Sequence, residues 1–170
     1  MAEKEKAVFR IIIAASLDDV WRELTKTNVV LPFFFGSILD TKGLAPGNRI
    51  CMRTGDHKYT GVVGEVLEFD PPHRYSHTFR FTQLEDFPCT VTYDLRLVEG
   101  GVEFTLTAND IPAGSKSAKY MKQGGEFIIN TLKAVAEKKP LPLKSRMVLL
   151  MCVLTKPFTP TRALSENWPL

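Results

Sequence analysis

The chain has 170 residues, of which 44% are hydrophobic and 24% charged, and its formal net charge is +3. That composition describes one globular domain whose core needs neither metal nor disulfide, and it excludes disordered, collagen-like and coiled-coil chains. The longest apolar run, Met147 to Leu154, has eight residues, against about twenty for a membrane-spanning helix.

In chain order, the N-terminal MAEKEKAVFR is charged and no apolar signal core follows it, which predicts a cytoplasmic protein. Val8 to Ile13 is a β-branched run. Ser16 is placed to cap a helix over about Leu17 to Lys26, with Asp18 and Asp19 where the helix dipole favours negative charge. A second short segment, LPFFFGS, closes at Gly36 and holds more phenylalanines than one helix face needs.

From about Ile38 to Asn109 the texture is that of strands. GLAPGNR and TGDHK are turn clusters, and Tyr59 to Phe69 ends at Asp70-Pro71-Pro72. His73 to Thr82 alternates, with Tyr75, His77, Phe79 and Phe81 on one face. Cys89 to Val98 also alternates, with Cys89, Val91, Tyr93, Leu95 and Leu97 together. Glu99-Gly100-Gly101 signals a tight hairpin, and Val102, Phe104, Leu106 and Ala108 continue the inward face. Residues 115–138 switch to helical spacing through Ala118, Met121, Gly125, Ile128, Leu132 and Val135. A long amphipathic helix after a one-sided sheet must lie on that sheet. The expected fold is α+β: a curved antiparallel sheet of six or seven strands gripping a long C-terminal helix, with two short helices after the first strand. The gap between sheet and helix is the natural ligand site.

The domain is expected to span 1–138, with 139–170 as an extension that packs on it or lies at an interface. Charge divides the same way. Residues 1–137 carry 16 basic and 18 acidic residues (net −2), whereas 138–170 carry six basic and one acidic (net +5). The body is therefore no nucleic-acid binder. Leu143 to Thr155 reads as a short helix that is apolar nearly all round, and the residues after Pro157 read as an irregular end. This helix has three readings: folding back on the domain, pairing with a second chain as a homodimer, or touching a membrane surface through its flanking Lys144, Arg146 and Lys156. Folding back is expected, because eight exposed hydrophobes would favour aggregation.

Five motifs in order carry a family resemblance: RIIIAASLDDVWRELT (10–25), LPFFFGS (31–37), GVVGEVLEFDPPHRYSHTF (61–79), TVTYDLRLVEGGVEFTLT (90–107) and GGEFIINTLKAVAEK (124–138). Together they resemble the SRPBCC, or START-like, helix-grip superfamily over about residues 6–138, in the branch named after the activator of the heat-shock chaperone ATPase. The chain departs from that pattern at two places. Phe33 to Phe35 stand where the family often has tryptophans, and Gly124-Gly125 replace a tryptophan expected early in the last helix. Losing large rings there would enlarge or reshape the cavity. Members bind lipids, hormones or polyketides, assist chaperones, or act as enzymes, and the fold alone does not choose among these.

Metal and cofactor sites are not expected. His57, His73 and His77 form no ligand motif, and Cys51, Cys89 and Cys152 include no CxxC, which reads as free buried thiols. There is no GxSxG and no phosphate-binding glycine loop. The leading expectation is a non-enzymatic binding protein, monomer or homodimer, for a small hydrophobic or amphipathic molecule. Phe33, Phe34, Phe35, Phe79, Phe81, Met121 and Phe127 would form the walls, and His77 and Tyr93 would supply polarity. The alternatives are a cyclase- or dehydratase-type enzyme using His77, Tyr93 or an inward Glu65 as acid or base, and a chaperone-accessory protein. A first strand near residue 6 leaves no separate N-terminal chaperone-binding domain, which weighs against the last.

Overall fold

The computed structural model describes residues 3–170. Strand β1 (Lys4–Ile13) leads into helix α1 (Leu17–Thr25). The Ser16 hydroxyl accepts from the Asp19 backbone N–H at 3.1 Å, and Val20 and Leu24 on the inner helix face are buried. The LPFFFGS segment forms the two-residue strand β2 (Val30–Leu31) and a single 3₁₀ turn (Pro32–Phe34). Strands β3 (Ser37–Thr41), β4 (Arg49–Arg53), β5 (Thr60–Asp70), β6 (Arg74–Phe81), β7 (Cys89–Val98) and β8 (Gly101–Pro112) follow.

All eight strands form one antiparallel sheet, ordered β1-β8-β7-β6-β5-β4-β3-β2. The strand beyond the expected seven is β2, too short to show a period in sequence. Register breaks at Glu5/Ala7, Met52/Arg53 and Val66/Glu68 bend the sheet, as bulges do. Gly64 allows β5 and β6 to close up, since a Cβ there would lie 1.9 Å from the Thr78 carbonyl oxygen. The hairpin glycines Gly100 and Gly101 have φ of 88° and 140°, conformations that favour glycine.

Helix α2 (Lys116–Ala136) is capped by Ser115, whose hydroxyl accepts from the Ala118 N–H at 3.0 Å. It lies against β1, β8 and the Pro32–Phe34 turn. More of its surface is covered than one stripe requires. Ala118, Met121, Gly125 and Leu132 are buried, and so are Phe127 and Thr131. Phe127 stacks on Phe35 with ring centroids 4.3 Å apart, and the Thr131 hydroxyl bonds that of Ser145 at 2.7 Å.

Ser145 belongs to helix α3 (Leu143–Thr155) and is its one buried residue. Against expectation, folding back covers only one side of this helix. Leu143, Met147, Leu150, Met151, Val153 and Leu154 are each more than half exposed.

The segment expected to be irregular is instead a strap of three 3₁₀ turns, Lys156–Phe158, Thr161–Ala163 and Ser165–Asn167. It bridges the outer side of the sheet at Tyr59 and Leu164. Arg53 ties it down. The buried guanidinium donates to Asp40 at 2.7 Å, to the Thr60 hydroxyl at 2.6 Å and to the Trp168 carbonyl at 3.0 Å. Trp168 in turn lies 6.0 Å from the Arg80 guanidinium.

Candidate functional site

The concave face of the sheet and helix α2 enclose a cavity of about 300 Å³. Strand alternation supplies most of its walls: Met52 from β4, Val62 from β5, Phe79 and Phe81 from β6, Val91 and Tyr93 from β7, and Leu106 from β8. The helix contributes Tyr120, Met121, Gly124, Gly125 and Ile128, and the segment around the 3₁₀ turn contributes Phe34, Phe35 and Ser37. Phe79 and Phe81 meet edge-on at 4.9 Å, and Phe81 meets Tyr120 in the same way at 5.7 Å. Phe35 holds a left-handed backbone, φ 55°, that turns its ring across Gly124 onto Phe127.

Of the nine residues expected to form the site, six line the cavity: Phe34, Phe35, Phe79, Phe81, Tyr93 and Met121. Three stand behind it. Phe33 is fully buried, with its ring edge-on to Phe34. Phe127 faces away from the sheet, toward Phe35, because it sits two positions from Gly125 on a helix with 3.6 residues per turn. His77 is on the inward face as its alternation requires, yet it is wholly buried beneath Tyr93 and lines no part of the cavity. Glu65 is exposed: even-numbered Thr60, Val62 and Val66 are the buried residues of β5, so a buried acid at Glu65 is corrected. Met52, Val62, Tyr120, Ser37 and Gln83 were missed. The four-residue run ICMR and the helix edge at Tyr120 gave no pattern that would find them.

Tyr93 in the cavity wall and His77 behind it form a buried polar pair. The His77 Nδ1–H donates to the Thr78 carbonyl at 2.7 Å, a group that can only accept. That bond fixes the tautomer, so Nε2 carries the lone pair and accepts from the Tyr93 hydroxyl at 3.3 Å. Burial lowers the His77 pKa from 6.5 to about 4, keeping the ring neutral at pH 7. Burial likewise holds the Tyr93 and Tyr75 phenols above their ordinary value. The Tyr75 hydroxyl is buried with no hydrogen-bond partner among the described residues, and its ring stacks on Tyr93 at 5.5 Å. Cys89, on the same strand face, is a free thiol that burial pushes up to about 11, which makes it a poor nucleophile. Among the described residues no three His, Cys, Asp or Glu side chains cluster in a way that could hold a metal ion, and no helix is long and apolar enough to cross a membrane.

The architecture is shared with known structures. A protein of Mesorhizobium loti superposes with a TM-score of 0.66 at 20% identity, covering 81% of this chain and 100% of its own. An HSP90 activator from Plasmodium falciparum gives 0.61 at 20% identity, over 81% and 97% of the two chains. The Aha1 dimer from Colwellia psychrerythraea gives 0.63 at 16% identity, over 78% and 96%. At these identities the likeness concerns the fold. No curated protein sequence matches the chain. The family model for the Activator of Hsp90 ATPase homolog 1-like protein matches residues 14–137, from the end of β1 to the end of α2. With most of its length matched and the helix-grip fold in place, the chain belongs to that family.

Proposed function

We propose that this protein binds a small apolar or amphipathic molecule in the cavity between the sheet and α2. The observation that carries the reading is the cavity itself: about 300 Å³, walled almost wholly by apolar side chains, at the lower end of the range of ligand pockets. That volume suits a compact ring system or a short acyl chain and is too small for a two-chain lipid. The hydrogen-bond order at its base supports a preference. With its proton committed to His77, the Tyr93 oxygen offers only lone pairs. A ligand reaching it must bring a donor, such as a hydroxyl or an amide N–H. Both ring nitrogens of His77 are engaged and its surface is covered, so acid–base catalysis draws less support than binding does. The three free thiols support a reducing, cytoplasmic setting.

The test is native mass spectrometry of protein purified without detergent, followed by titration with a fluorescent apolar probe. A bound molecule, or a probe displaced by donor-bearing amphiphiles and weakened by Met121→Trp, supports the reading. Probe binding that Met121→Trp leaves unchanged overturns it.

A second reading, chaperone accessory, is favoured by the family match and by the neighbour described as an HSP90 activator. Stimulation of an Hsp90 ATPase by the purified chain is its test, and no stimulation ends it.

A further inference from the structure

Helix α3 is an exposed apolar element attached to a polar body, and its charges say what covers it. At about 100° per residue, Leu143, Met147, Leu150 and Leu154 fall within about 60° of one another on the solvent side. Lys144 and Arg146 flank that stripe on its two sides, at about 70° to 90° from its centre. The opposite side, at Ser145, Val148, Leu149 and Cys152, is the side turned to the body. The ion pairs of this region use Lys133, Lys139 and Lys156, which leaves Lys144 and Arg146 without a carboxylate partner among the described residues. No acidic residue occurs anywhere in Leu143–Thr155.

We propose that α3 seats the protein on an anionic lipid bilayer surface, with the leucine stripe in the headgroup–acyl boundary and Lys144 and Arg146 reaching lipid phosphates. An apolar stripe edged by cations is the arrangement an interfacial helix requires, because the long basic side chains extend to the headgroups while the stripe sinks. At about 20 Å the helix can lie in the interface but cannot cross it. A second copy of the chain is the poorer occupant. Two α3 helices facing each other would bring four cations together with no acid to pair them, whereas an anionic surface complements them. Leu143 and Met147 of the stripe share a surface groove with Phe35, which also lines the cavity, so seating would bring that wall toward the lipid. The proposal stands whether or not the cavity holds a ligand.

The experiment is co-sedimentation of the full chain with phosphatidylcholine vesicles, with and without phosphatidylserine, alongside sedimentation velocity. The wild type should pellet with the phosphatidylserine vesicles and far less with neutral ones, and raised salt should release it. Lys144→Ala with Arg146→Ala should weaken that binding about 30-fold, at roughly fivefold per cation near an anionic surface. Leu150→Glu with Leu154→Glu should abolish it. Both pairs change exposed side chains, so thermal unfolding should stay at the wild-type value. Absence of vesicle binding overturns the proposal, as does equal binding to both vesicle types. A dimer that the Leu150→Glu, Leu154→Glu pair dissolves, without vesicle binding, assigns the face to a second copy and overturns it as well.

Discussion

Burial of His77 makes stability depend on pH in a window that the carboxylates do not share. The unfolded chain protonates this imidazole at about pH 6.5, whereas the folded chain resists until about pH 4. Above the first value neither state holds the proton. Between the two values only the unfolded state does, so stability falls as pH falls, by about 1.4 kcal/mol per pH unit. From pH 6.5 to about pH 5 the loss attributable to His77 is therefore about 2 kcal/mol. Glu137, lowered to about 2 by its bonds to Lys133 and Lys139, and Asp56, lowered by Lys156, withdraw stability only as pH falls through their ordinary values of 4.5 and 3.8 and below. With a urea dependence of about 2 kcal/mol per molar, the expected shift is about 1 M in the unfolding midpoint. Urea titrations of the wild type and of His77→Gln at both pH values isolate the effect. The difference between the two proteins should change by about 2 kcal/mol across the window. A difference that stays constant would refute the neutral, buried imidazole and with it the tautomer assigned from Thr78.

Three further outcomes are expected. Tyr93→Phe removes the donor to His77 Nε2 and should cost about 1–2 kcal/mol in chemical denaturation; it should also abolish any preference of the cavity for donor-bearing ligands in probe displacement. Gly64→Ala places a carbon 1.9 Å from the Thr78 carbonyl oxygen, where backbone must move. A loss of about 3 kcal/mol, or about 6–12 °C in Tm, is expected by calorimetry, and an unchanged Tm would show that β5 and β6 do not approach as described. Arg53→Met leaves Asp40 without its partner and the strap without its tie to the Trp168 carbonyl. It should cost about 3 kcal/mol and speed carboxypeptidase digestion of the last residues, while deletion of 164–170 should leave the sheet's own unfolding cooperative.

The strands were legible wherever the large apolar side chains keep to one face. In β6 and β7 the period of two placed Tyr75, His77 and Tyr93 on one face, and the register that sets Tyr75 opposite Tyr93 made them neighbours. Strand β5 defeats the same reasoning because apolar side chains stand on both of its faces. Val62 and Val66 face the core, while Val63 lies beside Trp168 of the strap. The apolar Val63 therefore suggested an inward odd-numbered face that would have carried Glu65 with it. Nothing in the local sequence of β5 records a cover supplied from 100 residues further along the chain. The same holds for α3: its composition announces an apolar helix, but which side meets Thr131 of α2 and which meets solvent depends on the turn at Pro140 and Pro142. The His77 bonds were also beyond the sequence, since they depend on a carbonyl at the neighbouring residue that the β5–β6 approach leaves turned inward.

The adjacent Gly124 and Gly125 decide whether the cavity is a designed space or a packing defect. Each glycine within a helix costs about 1 kcal/mol relative to alanine, and neither has a positive φ that would require it. Some other use of the missing side chains must offset that cost. At Gly125 the use is evident: a Cβ would lie 2.1 Å from Cε2 of Phe9 and 2.4 Å from two further ring atoms, so the ring occupies the place of the side chain. At Gly124 a Cβ would meet only the edge of the Phe35 ring, Cζ at 3.4 Å and Cε2 at 3.7 Å, both ordinary contacts. The two alanine substitutions should therefore differ in sign. Gly124→Ala gains helix propensity without a clash and should stabilise by about 0.5–1 kcal/mol. Gly125→Ala must displace the Phe9 ring, and overpacking of that kind should give a net loss of about 1–2 kcal/mol. Thermal unfolding of the two variants decides the matter. Opposite signs mean that Gly125 is held by Phe9 while Gly124 is retained against stability, to keep the cavity wall beside Phe35 low. Equal stabilisation by both would mean that the ring yields freely and that the space between sheet and helix is slack.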